Sequence, residues 1–232
     1  MTPVSSKSEH IIEKVPANRF YCDGTYFKPK FRGVSHQYAF FVAAFLCSLM
    51  LAKTTSDQFW PILIYSFGLC GMLGTSACYH RINWTKKQEL LIRKLDYTMI
   101  GVMIAGSFTP FCALALSSRF STAALWIMWT GATLGLFVNV IWSNTPKKIR
   151  TALFIVLGFC GVPLLPEIIS SCGSTCAALC FLGGAIHVLG GVVYAFQKPD
   201  PLPEIFGYHE IFHACVVIAS AIHFYCVWTY VI

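Results

Sequence analysis

The chain has 232 residues, a formal net charge of +7, 56% hydrophobic and only 12% charged residues, and a mean hydropathy of +0.63. Soluble domains carry about 25% charged residues, so half that share excludes an ordinary globular enzyme and a disordered chain alike and puts this one in a bilayer. In chain order, residues 1–35 form a polar tail with no apolar h-region, and Glu9, Glu13 and Asp23 are mixed among its basic residues. No cleavable signal or transit peptide is expected there, and the first apolar run is expected to act as its own insertion signal. Apolar runs follow at 37–56, 59–80, 96–116, 122–142, 150–169, 174–196 and 208–231. Each is close to the roughly 20 residues that cross a 30 Å hydrocarbon core, and none shows the strict alternation of a membrane barrel. The expectation is an all-α fold: a polytopic membrane protein with seven transmembrane helices in a single domain over 36–232. Pro110 and Pro163 are expected to kink the third and fifth spans.

Orientation follows from the cations. Fifteen of the 17 Lys and Arg fall in the tail and in the second, fourth and sixth loops, and only Lys53 and Arg119 lie on the other side. The positive-inside rule then makes the N-terminus cytoplasmic and the C-terminus lumenal or extracellular. The basic balance is the record of insertion and of contact with anionic lipid, and no aromatic-basic patch points to nucleic acid. The sequon Asn83-Trp84-Thr85 falls on the cytoplasmic side in this topology and is expected to stay unmodified.

Polar residues inside spans are costly and mark functional sites. Under the derived topology His80 ends the second span, Asp96 starts the third, and His209 and His213 start the seventh, all at one leaflet. His209 and His213, spaced i, i+4, project from one helix face, as do Ser76 and His80. Three imidazoles with a fourth position open is the pattern of a catalytic zinc site. Asp96 supplies the counter-charge, orients the nucleophilic water and takes its proton, and Ser76 donates a hydrogen bond to that water or to substrate.

His209-Glu210-Ile211-Phe212-His213 also reads as H-E-x-x-H, but a zincin's nearby third ligand is missing and the role of Glu210 stays open. His36, at the start of the first span, is read as an interfacial histidine. His187 and His223, deeper in the spans, are expected to hydrogen-bond between helices or line a cavity. Cys172, Cys176 and Cys180 repeat at i, i+4, i+8 like a soft-metal stripe and are read as small packing residues. Eleven cysteines, most of them inside spans, imply no disulfide framework, and Cys22 in the tail is a palmitoylation candidate.

Five ordered blocks carry a resemblance: Ser76-Ala77-Cys78-Tyr79-His80, Arg93-Lys94-Leu95-Asp96-Tyr97, Gly106-Ser107-Phe108-Thr109-Pro110, Gly190 to Ala195, and Phe206 to His213. Together they resemble the signature of the progestin and adiponectin-receptor family, which includes the haemolysin III proteins, and the short tail is more similar to the haemolysin III-like branch. The resemblance implies a seven-helix fold with an inside N-terminus and Zn2+ held by His80, His209 and His213, with Asp96 and Ser76 in the family's conserved aspartate and serine positions. It also implies a zinc-dependent hydrolase acting on a lipid amide, ceramide being the representative substrate. His187 stands where related sequences often have an aromatic residue, which bears on the substrate cavity and not on the metal.

The reading is therefore a membrane zinc hydrolase whose partners are bilayer lipid and a lipid substrate or ligand. The alternative is a non-enzymatic receptor or signalling scaffold in which zinc is structural. A pore is the third reading, and spans this poor in charge outline no ion path.

Overall fold

The computed structural model of the chain describes residues 20–22, 25–27, 29–142 and 145–232, the first two segments by backbone alone. The side chain of Cys22 lies outside the described residues. In the tail, β1 (Phe20–Cys22) pairs antiparallel with β2 (Thr25–Phe27), a small addition to the expected all-α architecture. Among the described residues, eight α-helices then build seven spans: α1 (Val34–Lys53), α2 (Ser56–Arg81), α3 (Lys86–Pro110), α4 (Arg119–Ile141), α5 (Lys147–Phe159), α6 (Leu165–Cys172), α7 (Ser174–Phe196) and α8 (Tyr208–Tyr230). All seven are long and apolar enough to cross a membrane, and the chain is an integral multi-pass membrane protein.

The helix boundaries follow local chemistry. The Thr55 and Thr85 backbone N–H groups donate to Gln58 and Gln88 at 3.1 and 3.2 Å, reciprocal caps that start α2 and α3. Because a cap and not lipid depth starts α3, that helix begins ten residues before the apolar run that reveals it. Asp96 therefore sits well inside α3, and not at its start as the sequence pattern suggested. Pro110 ends the regular part of α3, and the chain continues as one π-helical turn, Phe111–Ala115. The fifth span is broken and not merely kinked: α5 stops at Phe159 and a 3₁₀ turn, Val162–Leu164, holds Pro163 before α6 resumes. Glu167 of α6 ties the opposite end of the bundle together, accepting from the Ser118 N–H at 3.0 Å and the Ser118 hydroxyl at 2.6 Å.

The core is shared along the bundle, with Met50 of α1, Ile62 and Tyr65 of α2, Met128 of α4 and Val227 of α8 fully buried, while Trp60, Trp126 and Trp142 stay exposed. With seven crossings, the tail and the α2–α3, α4–α5 and α7–α8 connections share one face. That face carries the concentration of cations. The tail is stitched to it: Lys30 and Phe31 donate their backbone N–H groups to the Glu204 and Ile205 carbonyls at 3.1 and 3.2 Å.

Candidate metal centre

The residues singled out by spacing and topology meet in space. His80 comes from the last turn of α2, His209 and His213 from the first two turns of α8, and one ligand nitrogen from each lies within 4.8 Å of the other two. The ring centroids of His80 are 4.8 Å from His209 and 5.0 Å from His213, and the two α8 rings stand 4.7 Å apart. His80 and His213 are almost wholly buried. Three imidazoles this close, drawn from two helices into one shielded spot, form a donor set that suits a borderline divalent ion, and the buried His213 Nδ1 has no hydrogen-bond partner among the described residues.

Asp96 is not one of the three converging donors. It is buried on α3, and Ser76 is buried on α2. Arg150 also faces this region. Its guanidinium lies 3.7 Å from the centroid of the Tyr97 ring and donates to the Thr145 carbonyl at 3.0 Å.

Two residues that the sequence pattern placed elsewhere join the cluster. His36 is not interfacial: it is 2% exposed and stacks on His213 with ring centroids 3.9 Å apart and planes at 10°. The correction has a simple cause, since α1 packs beside α8 and brings His36 against His213. The signal was available in the topology, which puts His36 at the same leaflet as the other histidines. Arg32, read only as one of the tail cations, is 1% exposed and donates from Nε to Glu210 Oε1 at 2.5 Å. Its other end lies 3.3 Å from His209 Nδ1.

That pairing answers the question left open for Glu210. One carboxylate oxygen accepts from Arg32 and the other from the Gly207 backbone N–H at 2.9 Å. Glu210 is thus committed to an ion pair and to the start of α8, unlike the free general base of an H-E-x-x-H protease. Because its charge balances Arg32, the guanidinium does not stand as an uncompensated cation against an ion at the histidines. The approach of the tail also explains Gly33. With φ +77 it occupies the left-handed region, and a Cβ there would come within 2.5 Å of the His80 Cβ.

Of the deeper histidines, His223 makes the expected contact between helices. His223 contacts the Cys180 carbonyl through Nε2 at 3.2 Å, and its ring centroid is 5.5 Å from that of His187, so both belong to the α7–α8 interface and not to the metal centre. An apolar hollow of ≈ 470 Å³ is lined by Leu179 of α7 and by Val217, Ile222 and Tyr225 of α8. It does not include the cluster, though Val217 lies one helical turn beyond His213.

A family described as Haemolysin-III related matches residues 25–224. The chain is 25% identical over 202 residues to the human monocyte to macrophage differentiation factor, covering 84% of this chain and 82% of that protein. It is 27% identical over 188 residues to a hemolysin-3 homolog of Bacillus subtilis, covering 80% and 85% of the two chains. It is also 28% identical over 207 residues to a progestin and adipoQ receptor-like protein of Caenorhabditis elegans, covering 81% of this chain and 47% of the worm protein. Seven spans, a shared face that gathers the histidines, and a family match over most of the chain lead to one assignment: this protein belongs to the haemolysin-III related family of membrane proteins.

Proposed function

We propose that the protein is a zinc-dependent hydrolase of a lipid amide of the ceramide type, with Zn2+ held by His80, His209 and His213. The observation that carries this reading is the convergence of two buried imidazoles and a half-buried one from α2 and α8, in a bundle that also buries the Asp96 carboxylate and the Ser76 hydroxyl. Zinc, when bound, supplies a Lewis acid and lowers the pKa of water toward about 7. The chain's own groups do the rest. The Asp96 carboxylate orients the attacking water and accepts its proton. The Ser76 hydroxyl has one proton to give: directed at Asp96 it fixes the carboxylate, and directed at the substrate oxygen it holds the developing oxyanion. Burial within the bundle keeps bulk water away, and a substrate arriving laterally from the bilayer brings its acyl chain along apolar helix faces. In this reading the face bearing the tail is cytoplasmic, as the distribution of cations favours.

A second reading has its own support. The trio also clamps α2 to α8, the Arg32–Glu210 pair fastens the tail over it, and one relative is named a receptor-like protein. In that case zinc is structural and the helices transmit a signal. Purified protein assayed for bound zinc and for fatty-acid release from ceramide separates the two. A hydrolase is expected to lose both properties in His80→Ala, and in Asp96→Asn to keep zinc while turnover drops about 10²-fold or more. Unchanged turnover in Asp96→Asn overturns its assigned role. Zinc without any turnover in the wild-type protein selects the receptor.

A further inference from the structure

A second cluster lies at the opposite end of the bundle. Cys176 and Cys180 sit one turn apart on α7, and α8 brings Cys226 to them, so that the three sulfurs lie within 4.8 Å of one another. Cys176 and Cys226 are completely buried and Cys180 is half-buried. From His213 to Cys226 is 13 residues of one helix, about 20 Å at 1.5 Å per residue, so the thiols are independent of the histidine centre.

Packing alone does not account for this arrangement. The two helices come together at Gly183, where a Cβ would fall 2.4 Å from His223 Nε2, and the His223 contact to the Cys180 carbonyl fixes the turn that carries the Cys180 side chain. Alanine would serve a small-residue seam equally well. Instead three sulfur donors from two helices face one point. The i, i+4 stripe seen in the sequence offered only one helix face. The third ligand comes from α8, 46 residues after Cys180, and it turns a stripe into an enclosed triad.

We propose that Cys176, Cys180 and Cys226 form a binding site for a soft monovalent d¹⁰ cation, Cu(I). Thiolates select soft ions, and a three-donor set suits Cu(I), whereas structural zinc sites are almost always four-coordinate. One Cu(I) takes all three sulfurs while two of the thiols give up their protons to solvent, 3 RSH + Cu⁺ → [Cu(SR)₂(RSH)]⁻ + 2 H⁺. No electron moves, because the ion enters already reduced. The imidazole centre and the thiol centre would then sort borderline and soft ions to opposite ends of one bundle.

The test uses the full-length protein, purified anaerobically in detergent, loaded with Cu(I) in the presence of a competing Cu(I) chelator, and examined by metal analysis and X-ray absorption. The expected result is one Cu(I) per chain with a sulfur-only coordination shell, retained in His80→Ala/His209→Ala and lost in Cys226→Ala and in Cys180→Ala. Monodisperse elution and an unchanged helical spectrum show that the cysteine variants fold. If they do not, the absorption spectrum of the wild-type protein decides alone. Nitrogen in its coordination shell, copper that disappears with the histidines, no copper held against the chelator, or a disulfide among the three thiols in the anaerobically prepared protein would each overturn the site.

Discussion

Arg32 and Glu210, 178 positions apart, form a buried ion pair at 2.5 Å that fastens the tail to the first turn of α8. The pair sits directly behind His209, one of the three converging imidazoles. Removing one member of a buried pair strands a charge, which costs about 3–5 kcal/mol, whereas replacing both with apolar residues of similar size is close to neutral. Arg32→Met and Glu210→Leu are each expected to lower the thermal midpoint sharply, and the double variant to recover most of the loss. Thermal unfolding of all four proteins in one detergent checks this. Additive single effects would mean that the two side chains do not act as a unit.

Gly33 is where the tail passes His80. Its left-handed backbone costs an alanine about 1–2 kcal/mol, and the added Cβ would press on the His80 side chain. Gly33→Ala is therefore expected to lower both stability and bound zinc, while an alanine at Gly184, where an added Cβ meets nothing within 4 Å, leaves both unchanged. Metal stoichiometry alongside a melting curve measures the two effects.

Acid and chelators should act on the same centre. Imidazole binds metal only when neutral, so protons compete with the ion, and lowering the pH is expected to release it. With three ligands to protonate, the release should be steeper than a single-proton titration. A ligand present at 100 times its Kd stabilises the folded state by about 2.7 kcal/mol, so chelation is expected to depress the thermal midpoint of the wild-type protein and leave that of His80→Ala unmoved.

The proposed orientation has a separate check. Asn83 lies between α2 and α3, on the face that carries the tail. Expressed in a secretory system, the protein is expected to carry no glycan at Asn83. A sequon added to the α1–α2 connection beside Thr54, lengthened to reach the glycosylation machinery, is expected to be modified. The reverse pattern would invert the topology.

The sequence by itself determined the number of spans, the face that gathers the cations, and the turn on which His80, His209 and His213 stand, because lipid forces every crossing into a helix and helical spacing fixes which side chains share a face. Only the tertiary structure decided the rest. The start of α3 was hidden because charged residues continue a helix beyond the lipid that reveals it. His36 and Glu210 have local surroundings that say nothing of their partners. Those partners, His213 beside His36 and Arg32 beside Glu210, are brought in by the way α1 and the tail fold across α8. Cys226 likewise joins Cys176 and Cys180 only through the packing of α8 on α7, a long-range contact that no periodicity along either helix encodes.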